Sequence, residues 1–259
     1  MGKQIKIKAT LSENVNKSFR FQTKIYHIIH KHRDILNYPI IINNFNRLEY
    51  LEQQIDWLLH VGHTNIHIID NGSTYKPLLS FYNHVPVTVY MLNKNIGHES
   101  LWRTHLYQRF GKYYHVYTDP DVLPNHSTPN DFIYYFKSLL DKYPAINKVG
   151  FGLKIDDIPD YYPKKQEVLN WENKMYVDEI EPSVFKSKID TTFALYRPGS
   201  FLQCWDATLR TAGNYILKHM PWYENPLKPN EETLFYLNSI NNESSWYNSV
   251  LGKDKRYDG

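Results

Sequence analysis

Four short apolar runs between Pro39 and Thr118 alternate with segments of helical spacing, and this alternation narrows the fold more than any other feature of the chain. Pro39-Ile-Ile-Ile42 reads as a buried strand. From Arg47 to Val61 the apolar residues Leu48, Leu51, Ile55, Leu58 and Leu59 recur at helical spacing, and Gly62 stops the run. Asn65-Ile-His-Ile-Ile-Asp70 predicts a second strand, closed by an Asn71-Gly72-Ser73 turn. Val87–Leu92 predicts a third strand, Ser100–Phe110 a helix and Tyr113–Thr118 a fourth strand. Strand, helix, strand, turn, strand, helix, strand is the order of an α/β chain with a doubly wound parallel sheet. Ligands of such sheets bind at the carboxyl ends of the strands. Three polar clusters fall at those ends: Asn43-Asn44, Asp70-Asn71-Gly72 and Asp119-Pro120-Asp121.

The last cluster carries the most chemistry. Two carboxylates two residues apart in extended chain face the same side, about 6–7 Å apart along the backbone. That spacing lets Asp119 and Asp121 lean on one hard divalent cation, which prefers oxygen ligands. A short triplet of this kind also arises by chance, and an Asp-Pro turn is its structural alternative.

Composition excludes several function classes. The net charge of +3 is too weak to argue for nucleic acid. No apolar run approaches the roughly 20 residues of a membrane span, no signal-peptide pattern opens the chain, and Lys6 stands where a myristoylation motif wants Ser or Thr. The single Cys204 rules out an intramolecular disulfide and fits a reducing compartment. A cytoplasmic protein is expected, with peripheral membrane contact left open. Residues 1–37 read as an amino-terminal extension, partly helical around Ile25–His32, and residues 38–259 as one domain.

The second half is less regular. Asn130–Tyr143 predicts an amphipathic helix, Lys148–Ile155 a strand, Glu167–Tyr176 a helix, Thr191–Tyr196 a strand and Glu231–Ile240 a helix started by Pro229 and Asn230. Asp156-Asp157 follows a strand and reads either as a cleft pair or as a solvated loop.

Taken together, Ile41-Ile-Asn-Asn-Phe-Asn-Arg-Leu-Glu-Tyr-Leu51, Ile68-Ile-Asp-Asn-Gly-Ser-Thr74, Asn93-Lys-Asn-Ile-Gly97 and Thr118-Asp-Pro-Asp-Val122 resemble, in order and spacing, the GT-A glycosyltransferases, in particular bacterial family-2-like enzymes. The resemblance implies a Rossmann-like, mainly parallel sheet flanked by helices, with residues 38–125 as a nucleotide-binding half and 126–259 as an acceptor half. It implies a nucleotide-diphosphate sugar donor, with UDP as the expected nucleotide, and a carbohydrate or lipid-linked acceptor, as in surface polysaccharide synthesis. Asp70 would contact the base, with Asn43 or Asn44 and Gly72 nearby. Asn95, Gly97 and Arg103 would line the ribose and diphosphate. Asp121 would bind Mn2+ or Mg2+, and Asp119 would support the metal or hold the ribose. Asn71 departs from the family's usual second acid, which leaves the base open.

The resemblance extends to the second half. Pro229-Asn-Glu-Glu-Thr-Leu-Phe-Tyr236 is similar to the segment carrying the catalytic base of inverting members, which puts Glu232 at the base position and Glu231 beside it. Acids in a first helical turn are also favoured by the helix dipole alone. Ile189-Asp-Thr-Thr-Phe-Ala-Leu-Tyr196 resembles the strand behind the acceptor and makes Asp190 a candidate contact. A late His sometimes serves as an additional ligand in this family, which singles out His219; the alternative is a packed ring. Trp222 and Tyr223 are candidates for a sugar platform. A sugar nucleotidyltransferase would carry a Gly-rich loop after the first strand, where this chain has Asn43-Asn-Phe-Asn-Arg47. A catalytically silent sugar- or nucleotide-binding module is the rival from another class.

Overall fold

In the computed structural model the described residues are 2–7, 34–189, 193–202, 204 and 206–240. The expected helix around Ile25–His32 lies outside them. Strand β1 (Lys3–Ile7) comes from the segment read as an extension, and it pairs in parallel with β4 (Thr88–Leu92) at the sheet edge. Between them in sequence run β2 (Ile40–Asn44), helix α1 (Glu49–His60), β3 (Ile66–Asp70) and a short helix α2 (Lys76–Phe81). After β4 come α3 (Leu106–Phe110) and β5 (His115–Thr118), then β6 (Val122–Pro124) and α4 (Phe132–Lys142).

Strands β1, β4, β3, β2 and β5 lie side by side in that order and are all parallel. Their residues alternate between two buried faces. Ile40, Ile42, Ile68 and Val116 join one apolar cluster, while Ile41, Ile69 and Tyr117 join the other. Burial on both faces explains why these strands read as unbroken apolar runs. Leu51, Ile55 and Leu58 of α1 and Phe132, Phe136 and Leu140 of α4 cover the first face. Leu106, Tyr107 and Phe110 of α3 cover the second. The fold is therefore α/β, with a large central sheet, parallel in this half, flanked by helices.

The second half extends the same sheet with β7 (Lys148–Gly150), β9 (Glu179–Glu181), β10 (Val184–Lys186), β11 (Ala194–Tyr196) and β12 (Thr208–Thr211), once β8 (Gly152–Leu153) and α5 (Lys165–Glu172) have intervened. The full order is β1-β4-β3-β2-β5-β11-β7-β12-β10-β9, and β11 is antiparallel to both its neighbours. A separate three-stranded sheet, β6-β13-β8, is completed by β13 (Ile216–His219). The chain ends its described part in α6 (Glu231–Ser239).

Two sequence expectations are corrected here. Lys148–Ile155 is not one strand: the chain leaves the main sheet at Phe151 and enters the small sheet at Gly152. The Ser100–Phe110 helix is regular only from Leu106. Upstream, the Thr104 hydroxyl donates to the Ser100 and Leu101 carbonyls at 2.9 and 3.2 Å, and the segment stays in turns.

His67 and His115 sit inside the main sheet, and burial holds each down to about 4. The unfolded chain takes up these protons near 6.5. Stability should therefore be full above pH 6.5 and fall as the pH drops towards 4, by roughly 3 kcal/mol for fully buried His115 alone. Urea midpoints across that window should flatten in His115→Phe. An unchanged slope would refute the linkage.

Candidate functional site

The crossing order of the parallel strands fixes where a ligand can enter. From β2 the chain winds outward to β3 and β4, while β5 returns to the other side of β2. A crevice opens at such a switch point, outside the carboxyl ends of β2 and β5. Asn43 and Asn44 end β2, and Asp119 follows β5.

The Asp119-Pro120-Asp121 segment is not extended. Pro120 and Asp121 form a turn that carries the chain from β5 into β6. Its backbone is committed inward. Gln54 of α1, fully buried, donates from Nε2 to the Asp119 carbonyl at 3.0 Å and to the Val122 carbonyl at 2.8 Å. The Thr118 hydroxyl also donates to Asp119 O at 2.9 Å, and Met220 N donates to Asp121 O at 2.8 Å. Both aspartates are half-buried. The Asp121 carboxylate has no hydrogen bond or ion pair among the described residues.

The other strand-end polar groups hold loops together. Asp70 is completely buried. Its Oδ1 accepts from Ser73 N at 2.9 Å and its Oδ2 accepts from the Tyr82 hydroxyl at 2.9 Å. Asn44 Nδ2 donates to the same Tyr82 oxygen at 2.9 Å. Burial pushes the Asp70 carboxyl above its ordinary value, against the pull of the Ser73 and Tyr82 hydrogen bonds. Asn71 accepts from Ile96 N at 2.9 Å and donates to Gly97 O at 2.8 Å, tying the turn after β3 to the loop after β4. Gly72 (φ +80°) packs so closely on that loop that a Cβ would meet Lys94 backbone at 2.7 Å. Asn43 Oδ1 accepts from the Ser100 hydroxyl at 2.7 Å. Asn95 Oδ1 accepts from Gly97 N at 2.9 Å, and Arg103 donates to Ile96 O. Asn43, Asn44, Asp70, Gly72, Asn95, Gly97 and Arg103 thus form one connected framework at the carboxyl ends of β2, β3 and β4. Of these, Asn95, Arg103 and Gly72 keep partial exposure.

This geometry makes Asp70 a positioning residue. Asp70→Ala leaves Ser73 N–H and Tyr82 O–H as orphaned donors, each costing about 1–3 kcal/mol. Chemical denaturation should show that loss. Full stability in the variant would mean the two bonds do not hold the turn.

A second acidic centre lies at the start of α1. Glu232, 7% exposed, accepts from Glu49 N at 3.1 Å through Oε2, and the Leu48 N–H also bonds its carboxylate. It therefore caps a helix other than its own. Asn230 caps α6 by accepting from Thr233 N at 2.7 Å, and its Nδ2 donates to Glu49 Oε2 at 3.1 Å, so the two helix starts clasp each other. Burial raises the Glu232 carboxyl above its ordinary value; the two backbone N–H groups and the Arg47 charge oppose it. Arg47 is buried between Glu224 at 3.3 Å, Thr233 at 3.3 Å and the face of Tyr236 at 4.2 Å. Glu231 is exposed on the first turn of α6. Asp190 lies outside the described residues.

His219 ends β13 opposite Val122, with its ring edge-on to Trp222 at 4.8 Å. Among the described residues no three His, Cys, Asp or Glu side chains gather as a cation cage, so His219 does not complete one with Asp119 and Asp121. Trp222 is fully buried in the core and offers no sugar platform. Asp156 and Asp157 lie exposed on a turn, as the solvated-loop reading has it; Asp157 accepts from the Tyr223 hydroxyl at 2.5 Å and pairs with Lys218 at 2.8 Å.

No protein-family model matches the chain. No curated protein matches it either. Solved structures do. One is glucosyl-3-phosphoglycerate synthase from Mycobacterium tuberculosis, in complex with phosphoglyceric acid, at TM-score 0.38 and 12% identity over 75% of this chain. This chain spans 64% of that synthase's length. Another is a mycobacterial protein, at TM-score 0.41 and 12% identity over 80% of this chain and 72% of its own. Likeness at this level says nothing about substrate or residue roles. Among the described residues no helix is long and apolar enough to cross a membrane.

Sequence reading missed Gln54 and Tyr82. Gln54 carried a weak signal, a polar residue beside the apolar stripe of α1; nothing local marks Tyr82 as the partner of Asp70.

Proposed function

We propose that the chain is a GT-A-type glycosyltransferase that moves a sugar from a nucleoside-diphosphate donor to a carbohydrate or lipid-linked acceptor, in glycan or surface-polysaccharide synthesis in the cytoplasm or at a membrane surface. One observation carries the reading. The Asp119–Asp121 turn stands at the switch point with its carbonyls bonded inward and the Asp121 carboxylate without a partner among the described residues. Small divalent ions need only one or two protein carboxylates when substrate phosphates complete the shell. The donor set therefore fits Mn2+ or Mg2+, which would neutralise the charge that grows on the diphosphate as the glycosidic bond breaks. The framework at the carboxyl ends of β2, β3 and β4 holds the turns after β3 and β4 at a fixed separation, with Asn95 and the partly exposed Arg103 on the donor side.

On the acceptor side, Glu232 takes the hydroxyl proton as the acceptor oxygen bonds to the anomeric carbon. The carbon–oxygen bond to the diphosphate breaks on the opposite face, and its electron pair leaves with the nucleoside diphosphate. A carboxyl held above its ordinary value by burial is suited to accept that proton near neutral pH. Displacement of this kind inverts the anomeric configuration.

Thermal unfolding with a panel of nucleoside diphosphates tests the reading. One nucleotide is expected to raise the midpoint with Mn2+ and not with EDTA. No shift with any of them would overturn it. Mn2+-dependent donor hydrolysis separates an enzyme from a silent binding module. The glycine-free Asn43–Arg47 segment speaks against a nucleotidyltransferase.

A further inference from the structure

Gln54 is completely buried, on a helix whose neighbouring buried residues Leu51, Ile55 and Leu58 pack in an apolar cluster. Its Nε2 faces two oxygens that can only accept, the Asp119 and Val122 carbonyls. That fixes the orientation of the amide and leaves Oε1 buried without a hydrogen-bond partner among the described residues. A buried acceptor without a donor costs free energy. An apolar side chain would avoid that cost, so the packing of α1 alone does not account for an amide here. What the amide supplies is a bridge between two carbonyls of one turn.

Those two carbonyls bracket Asp121. The carbonyl of Asp121 itself is taken by Met220 N at 2.8 Å, and the Thr118 hydroxyl adds a second bond to Asp119 O at 2.9 Å. Pro120 has a restricted φ and brings no N–H to the turn. The backbone on both sides of Asp121 is thus pinned, and its side-chain torsions are left to adjust. The pin comes from the middle of a helix of 12 residues anchored in the core, not from another loop. Such precision matters to a small cation. Mg2+ demands near-ideal octahedral geometry with oxygens at about 2.0–2.1 Å, so a carboxylate displaced by a fraction of that distance holds it poorly.

We infer that Gln54 is a positioning residue for the metal: by bridging the Asp119 and Val122 carbonyls it holds the turn where the Asp121 carboxylate joins a divalent cation and the donor's diphosphate. The inference rests on the transferase reading proposed for the crevice. Gln54 acts through the backbone of the turn and is not itself a ligand.

Calorimetry on the full chain tests this with the nucleoside diphosphate that the wild type prefers among UDP, GDP, ADP and CDP, titrated once in Mn2+ and once in EDTA. The ratio of the two affinities is the gain due to the metal. Gln54→Met keeps the length and helix propensity of the side chain but donates no hydrogen bond. It is expected to cut the gain by about tenfold or more, the usual effect of removing a group that orients metal ligands, with affinity in EDTA unchanged. Gln54→Glu, at alkaline pH, sets an ionised carboxylate against two carbonyls and should lose at least as much. Ile55→Val is the control for stability: buried on the same helix without a hydrogen bond to the turn, it should lower the urea midpoint and keep the wild-type gain. A wild-type gain in folded Gln54→Met and Gln54→Glu overturns the inference alone. So does an equal loss in Ile55→Val, which would tie the gain to stability, or failure of both Gln54 variants to fold, which would make the residue structural. A wild type with no gain for any of the four nucleotides overturns the transferase reading and this inference with it.

Discussion

Asp121→Ala is expected to lose about a thousandfold in sugar transfer while unfolding at the wild-type midpoint, because removing a metal ligand withdraws several kcal/mol of leaving-group stabilisation. The two halves of this outcome come from different parts of one turn. Its carbonyls are bonded by Gln54 and Met220, and alanine keeps all of those bonds. The Asp121 carboxylate bonds nothing in the described protein, so its loss orphans no donor. Mn2+-dependent stabilisation by the preferred nucleoside diphosphate should disappear in the same variant. Turnover near wild type, or full wild-type activity in EDTA, would refute the metal assignment. A variant that unfolds early would instead show that the turn needs its side chain for folding.

Glu232 separates two roles that its position superimposes. As a base it must accept a proton; as a cap it must accept hydrogen bonds from the start of α1. Glu232→Gln keeps an oxygen acceptor for Glu49 N but cannot take the proton. Its turnover should fall by roughly the 10²–10⁴ typical of a lost general base, with stability and donor affinity near wild type. Glu232→Ala removes the cap as well and should add about 1 kcal/mol of instability. Product anomeric configuration read by NMR completes the test, since direct displacement inverts. A Gln variant within a few-fold of wild type would make Glu232 a cap alone. Retained configuration would exclude the single displacement and with it the need for such a base.

The strands of the first half were legible because both sheet faces are buried, which leaves unbroken runs such as Ile40-Ile-Ile42. Helix α1 was legible because Leu51, Ile55 and Leu58 all face one apolar cluster. The position of the polar clusters at the carboxyl edge also followed from the strand order. Their use did not. Asp70 reads as an open acid at a strand end, yet its oxygens are taken by Ser73 and by Tyr82, twelve residues on. Glu232 reads as an acid favoured by its own helix dipole, yet it caps a helix 183 residues away in sequence. Such contacts leave no periodicity to read. The same holds for β6 and β13, which are short and find each other across most of the second half. The Asp-x-Asp spacing argument assumed extended chain; Pro120 and Asp121 instead form a turn after β5, so the strand's alternation does not set where the two side chains go.

Helix α1 touches both proposed chemical centres at fixed intervals along one axis. Glu49, at its first position, meets Glu232, and Gln54, five residues later, grips the turn that carries Asp121. A helix advances about 1.5 Å and turns about 100° per residue. The separation between the proposed proton acceptor and the turn proposed to hold the metal is thereby written into the helix as a count of residues. Adding or deleting a single residue between Glu49 and Gln54 would swing the amide about 100° away from the two carbonyls while leaving composition and helix propensity almost untouched. Length, more than residue identity, is the quantity that this stretch of the chain has to conserve.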